Sequence, residues 1–278
     1  MPQSNRTRIG IAAVIGAAIL ACGGGLVLLG WMIDETHFDR PTAAFDALGA
    51  DIAAVAGVEA LEKERWVEAP TFSDPSSWIS VTADAAALPA VVEVACTSGH
   101  PEAVQWEFQL ETASDGLVSL FSDPVDVCPT FGFEAPSLVG ALDRVVPGAT
   151  VQAVTGDDGR FALSSIDAQL DELIPLVAQV DAVREAAGLA SGVLTDVGGA
   201  TLGVEVRADE GAAYGTLLRR LSSEHGVTGF FVGGSGTPID GVDKVQVVAP
   251  ADEHRAIVTA IEASGLPIAG LPVTFLPE

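Results

Sequence analysis

The sequence predicts an α+β protein: a transmembrane helix over residues 9–33, then two tandem ferredoxin-like βαββαβ sandwiches, each with an extra leading helix and strand. Three observations carry this. Residues 9–33 hold no charged side chain, enough at 1.5 Å per residue to cross a ~30 Å hydrocarbon core. Val104–Glu111 alternates strictly, with Val104, Trp106, Phe108 and Leu110 against Gln105, Glu107, Gln109 and Glu111. And one order of elements occurs twice, with Val81-Thr82-Ala83-Asp84 matched by Val206-Arg207-Ala208-Asp209 at an offset of 125.

At the N-terminus, Arg6 and Arg8 precede the apolar run and Asp34 and Glu35 follow it. Positive flanks stay inside, so residues 1–8 are expected in the cytoplasm, Trp31 at the outer interface, and the remainder outside the cell membrane. A cleaved signal peptide has an apolar region of only about 7–15 residues. Ile19-Leu20-Ala21-Cys22 resembles a lipobox, but the residues after Cys22 stay apolar where a lipidated cysteine would open a polar tether. The expected organisation is a cytoplasmic end (1–8), the membrane helix (9–33), a linker (34–41), a first repeat (42–165) and a second (166–278).

In the first repeat, Phe45, Leu48, Ile52 and Val55 form an amphipathic helical stripe ending at Gly57. Val58–Val67 reads as a strand, and Phe72–Ser77 as a turn-rich connection. Trp78–Ala83 is then a strand, Asp84 caps a helix through Leu88, Val91, Val92 and Ala95, and Asp115-Gly116 turns the alternating strand into Leu117–Phe121. A helix with Leu138, Val139, Leu142 and Val146 and a strand near Val151 complete β-α-β-β-α-β. The second repeat opens with a helix on Leu170, Leu173, Val177 and Val180 and a strand at Val193–Val197. It continues through Leu202–Val206, a helix on Tyr214, Leu217, Leu218 and Leu221 capped by Asp209, strands at Val227–Val232 and Val242–Val248, a helix on Ile257, Val258 and Ile261 capped by Asp252, and Leu271–Leu276. That order is the split βαβ of ferredoxin-like folds. The helix-strand-strand-helix-strand run is similar to BON-type envelope modules in topology, without a shared motif.

Cys96 and Cys128 both follow the membrane segment, so a disulfide between them is the simplest reading, with two separate buried thiols as the alternative. His37, His100, His225 and His254 are scattered and no CxxC or HxxxH spacing supplies a metal-ligand set. Gly233-Gly234-Ser235-Gly236-Thr237 has Thr237 where a nucleophile elbow needs glycine and lacks the Lys-Ser/Thr of a phosphate loop. Nothing aims Ser235, His254 and Asp240 at one another, so no catalytic residue and no cofactor is expected. Glu62, Glu64 and Glu68, and Asp123 with Asp126, lack a calcium-loop pattern, and Asp157-Asp158 reads as turn chemistry. His100 and His225 fall at helix C-termini, and Arg219-Arg220 reads as a solvated helix face. Among the tryptophans, Trp66, Trp78 and Trp106, the last alternates with apolar neighbours and belongs in a core.

The chain carries 38 Asp and Glu against 13 Lys and Arg, a net charge of −25 that repels phosphate backbones and excludes nucleic acid as a partner. With 49% hydrophobic residues it is also not a disordered acidic chain. The expectation is a membrane-anchored, non-enzymatic binding or scaffolding module of the bacterial envelope. Its partners would be the lipid bilayer through residues 9–33 and an envelope protein of unknown identity, in an oligomeric state the sequence leaves open. A ligand sensor with a site between the repeats and an exported hydrolase with an acidic site are the alternatives.

Overall fold

The computed structural model describes residues 37–68, 74–122, 124–156, 158–165, 167–232 and 242–277. Its frame is built from hairpins that each feed a helix. A short strand β1 (His37–Asp39) and helix α1 (Ala43–Ala53) lead into β2 (Val58–Glu68) and β3 (Ser76–Asp84), followed by α2 (Leu88–Thr97). The hairpin β4 (Gln105–Glu111) and β5 (Leu117–Ser122) feeds α3 (Ala135–Val145), and β6 (Thr150–Thr155) and β7 (Phe161–Ser165) feed α4 (Leu170–Ala178) and α5 (Val180–Ala186). Then β8 (Thr195–Gly199) and β9 (Leu202–Val206) feed α6 (Gly211–His225), β10 (Gly229–Val232) and β11 (Val245–Val248) feed α7 (His254–Glu262), and β12 (Val273–Leu276) closes the series.

All twelve strands join one mixed sheet in sequence order. From β2 onward, each hairpin pairs antiparallel and each helical crossover returns the chain parallel to the strand it just left. This corrects the expectation of two ferredoxin-like sandwiches. Both expected element orders exist, as β3-α2-β4-β5-α3-β6 and β9-α6-β10-β11-α7-β12. What differs is pairing. A split βαβ leaves a strand between the two that a helix joins, whereas here β3 lies directly beside β4, β5 beside β6, β9 beside β10 and β11 beside β12. A crossover helix is long enough to reach either slot, so periodicity does not choose between them. The matched tetrapeptides both sit where the second strand of a hairpin exits toward a helix, β3 for Val81–Asp84 and β9 for Val206–Asp209. They are three hairpin-helix units apart, so the offset of 125 is a multiple of the structural period. The pairing of β7 with β8, from Phe161 opposite Thr195 to Ser165 opposite Gly199, carries the sheet across residue 165.

The helices line one face of the sheet, since α1 touches α2, the turn Ala85–Ala87 that leads into α2 touches α3, α3 touches α4 and α5, α4 touches α6, and α6 touches α7. Opposite them runs a row of fully buried side chains in register, Val81, Phe108, Leu120, Ala153, Leu163, Val197 and Val204. Local signals set the helix ends. The Thr42 hydroxyl accepts the Phe45 amide at 3.2 Å, and a reciprocal capping box of Gln169 and Glu172 starts α4. Gly226 ends α6 at φ 64°. Asp84, expected as an N-cap, makes no side-chain cap bond, and Asp209 instead takes φ 66° in the turn before α6.

Two contacts tie helices and sheet together. Arg184 on α5 is 2% exposed and donates to Thr195 Oγ1 at 3.1 Å, the Ser191 carbonyl at 3.1 Å and the Val206 carbonyl at 3.3 Å, with Asp181 3.3 Å away. Cys96 at the end of α2 is bonded to Cys128 in the connection after β5, their Cα atoms 4.3 Å apart.

The expected membrane helix over residues 9–33, with Arg6, Arg8 and Trp31 at its ends, lies outside the described residues. Among the described residues no helix is long and apolar enough to cross a membrane. The longest, α6, has 15 residues, short of the ~20 a span needs, and exposes Arg219, Arg220 and Glu224. Single-pass membrane anchoring, and the extracytoplasmic placement built on it, therefore find no support in the structure.

Two stability predictions follow from this packing. In a helix interior Gly→Ala normally gains about 1 kcal/mol, but a Cβ at Gly215 of α6 would lie 2.4 Å from Ala178 Cβ and 2.9 Å from Ala178 Cα on α4. The clash involves backbone and wins, so Gly215→Ala should lower the unfolding free energy by about 1–3 kcal/mol in urea titration. Reducing Cys96–Cys128 releases a sequence separation of 32 residues and should cost about 3–4 kcal/mol, read from urea midpoints with and without reductant.

Candidate functional site

With helices on one face, the other face of the sheet is left to polar side chains. Strand alternation decides which they are. Lys63 pairs with Asp46 and lies over the Phe45 ring of α1, 4.9 Å from its centroid, which turns Glu62, Glu64 and Trp66 to the opposite side of β2. Register carries this face across the sheet. Glu64 stands opposite Trp78, which stands opposite Gln105, and Glu62 opposite Ser80, then Glu107, then Phe121. The next row runs from β2 to β12 without a formal charge: Ala60, Thr82, Gln109, Ser119, Gln152 and Ser164, continued by Gly198, Gly203, Phe231, Gln246 and Thr274.

Glu62, Glu64 and Gln105 are exposed, and Trp66, Trp78, Glu107 and Phe121 are half-buried. Further along, Arg160 holds three carboxylates: Glu205 at 2.6 Å, Asp158 at 3.0 Å and Asp196 at 3.7 Å. Arg207 adds a contact to Glu205 at 3.6 Å. Burial pushes the Asp196 carboxyl above its ordinary range, with Arg160 pulling the other way. The face thus combines carboxylates, amides, hydroxyls and aromatic edges at a strand spacing of about 4.8 Å, spanning about 50 Å over twelve strands.

The residues singled out in the sequence do not converge on a reaction centre. Ser235, Asp240, Asp123 and Asp157 lie outside the described residues. His254 stacks on Phe275 of β12, ring centroids 3.5 Å apart, and His225 Nδ1 meets Glu253 at 2.8 Å, joining α6 to the turn before α7. Asp126 accepts the Val127 amide, Asp158 accepts the Arg160 amide, and Arg220 pairs with Glu224 on the exposed side of α6. Trp106 is fully buried, its indole donating to the Val127 carbonyl at 2.9 Å. Among the described residues no group of His, Cys, Asp and Glu is placed to hold a metal ion. The uncharged row escaped the sequence reading. Its signal is the polar residue at every second strand position, which becomes a row only once the register is known.

No family model matches the chain, and neither any curated protein nor any solved structure does.

His100, four residues beyond the disulfide-bonded Cys96, has a specific electrostatic setting. It is 7% exposed, packs 5.7 Å from the Phe45 ring, and neither ring nitrogen has a hydrogen-bond partner among the described residues. Beside it, Arg65 grips Glu102 with two bonds, 2.7 and 2.6 Å. Burial holds the His100 pKa below its ordinary 6.5, with Arg65 adding to the shift and Glu102 opposing it. The Arg65 bond lowers the Glu102 pKa. His100 is therefore neutral when folded and takes up a proton more readily when unfolded. Its contribution is full above pH 6.5 and is lost as pH falls from there through the folded-state pKa; the Glu102 contribution is lost at lower pH, below the ordinary carboxylate value of 4.5. His100→Phe should flatten the decline in melting temperature between pH 7 and 5.5, measured by calorimetry, and leave the decline below pH 4.5.

Proposed function

We propose that the chain is a non-catalytic binding module that holds a basic polypeptide segment across the open face of its sheet. One observation carries the reading: a single twelve-strand sheet covered by helices on one side carries, on the other, exposed Glu62 and Glu64 and half-buried Glu107 beside half-buried Trp78, and the half-buried amides and hydroxyls of Thr82, Gln109, Ser119, Gln152 and Ser164, while Ser80 and Gln246 on the same face are buried. Arrays of repeated units build long surfaces of this kind, and such surfaces serve docking. The carboxylates complement lysine and arginine, the Gln, Ser and Thr side chains can meet peptide groups of an extended chain, and the indoles offer apolar and cation–π contact. A net charge of −25 steers a cationic partner toward the protein from a distance.

The reading is tested by tryptophan fluorescence titration of the full chain with a short poly-lysine peptide, against poly-glutamate and a neutral Gly-Ser peptide. Poly-lysine should bind saturably and more weakly at high salt. A Glu62→Gln, Glu64→Gln, Glu107→Gln variant should weaken it about tenfold, each exposed pair contributing a modest share. A control variant removing the same charge from the exposed helix positions Glu93, Glu185 and Glu262 should bind as the parent does. Equal weakening in both variants would mean attraction to net charge alone and would overturn the proposal.

A further inference from the structure

At the far end of the sheet, the turn between β9 and α6 borders a cavity of about 400 Å³, within the range of small-ligand sites. Its apolar wall is Val232 at the end of β10 with Ile268 and Leu271 from the segment before β12. Tyr214, on the first turns of α6, also lines it. The residue is 2% exposed, and its hydroxyl makes no hydrogen bond among the described residues. A phenol among the lining residues supplies a hydroxyl that can both donate to and accept from a bound polar group.

The charges around that hydroxyl define what fits. Three carboxylates, Glu205, Glu210 and Asp243, face one guanidinium, Arg207. Arg160 and Arg207 already neutralise Glu205. Glu210 accepts only the backbone N–H of Arg207, at 3.1 Å, and exposed Asp243 has no partner among the described residues. Burial first, and Glu210 next, push the Tyr214 pKa up to about 12, so the phenol stays protonated and neutral. A negative residue of charge, a neutral phenol and an apolar wall therefore share one cavity.

We infer that this cavity binds a small organic ammonium, its charged nitrogen between Glu210 and Asp243 within reach of the Tyr214 hydroxyl and its carbon chain against Ile268 and Leu271. The site lies apart from the Glu62–Glu107 region and stands or falls independently of polypeptide binding.

The experiment is calorimetric melting of the full chain with n-hexylamine, hexanoate, n-hexanol and ammonium chloride in matched series. Hexylammonium should raise the melting temperature saturably, as a ligand of the folded state does, and the other three should not. Tyr214→Phe, which keeps the ring, should weaken hexylammonium about fivefold, and Asp243→Asn, at an exposed position that folding does not depend on, about tenfold. No saturable shift with hexylamine would overturn the inference. So would an equal shift with hexanol, which would make the cavity merely apolar, or an Asp243→Asn protein that binds hexylamine as tightly as the parent.

Discussion

The structure depends on burying one face of a continuous sheet. Twelve strands in one layer present apolar side chains, the row from Val81 to Val204 and, further along, Phe230 opposite Val247, that water would otherwise cover. At roughly 25 cal/mol per Å² of apolar area, this burial is the dominant favourable contribution to folding. Each hairpin therefore carries its own helix, because a hairpin alone cannot hide its inner face. Neighbouring helices must then meet edge to edge above the sheet. Gly211 and Gly215 on α6 allow this, leaving no room for a side chain where Val177 and Ala178 of α4 approach.

The same constraint explains where polar groups go inside. Arg184 can be buried because three acceptors and Asp181 meet its guanidinium at the seam between α5 and the β8–β9 hairpin. A continuous run of ring contacts, from Trp106 through Phe108, Phe131 and Phe133 to Phe161, bridges the β4–β5 and β6–β7 hairpins. At the N-terminal side, α1 is held by the Lys63–Asp46 pair and by Phe45 packed against His100, next to the Arg65–Glu102 bridge and the disulfide. Stability at this end is predicted to respond to both proton and thiol chemistry, in addition to apolar packing.

The proposed function rests on what the helices leave uncovered. A sheet coated on one side turns every second residue of each strand to its other face in register, so short-range sequence choices add up to a long pattern. Here the pattern is acidic and aromatic near β2 to β5 and uncharged along the central row. The ionic cluster on Arg160 interrupts that face at β7 to β9. The Tyr214 cavity sits at one end of the sheet, where strand ends, the start of α6 and the segment before β12 supply the walls.

Much of this was legible in residue order. Alternation in β4, the stripe on Leu138, Val139 and Leu142, and the glycine ending α6 are local effects of side-chain period and backbone freedom, and they placed the elements and their order. The burial of Trp106 followed from its apolar neighbours in the same way. Strand pairing did not follow, because a βαβ crossover reaches an adjacent or a next-but-one slot with the same local pattern. Local pattern therefore predicts two tandem ferredoxin-like sandwiches, and the structure is one sequential sheet. The open-face row and the cavity share that cause: Gln109, Gln152 and Gln246, or Tyr214 and Asp243, are far apart in the chain. Sequence alone determined most of the strands and helices and which side of each is apolar, since those depend on neighbours within a few residues, but not β1, β7 or the break between α4 and α5. Tertiary structure alone decided which strands lie side by side, because that depends on the long-range competition for the same buried slot.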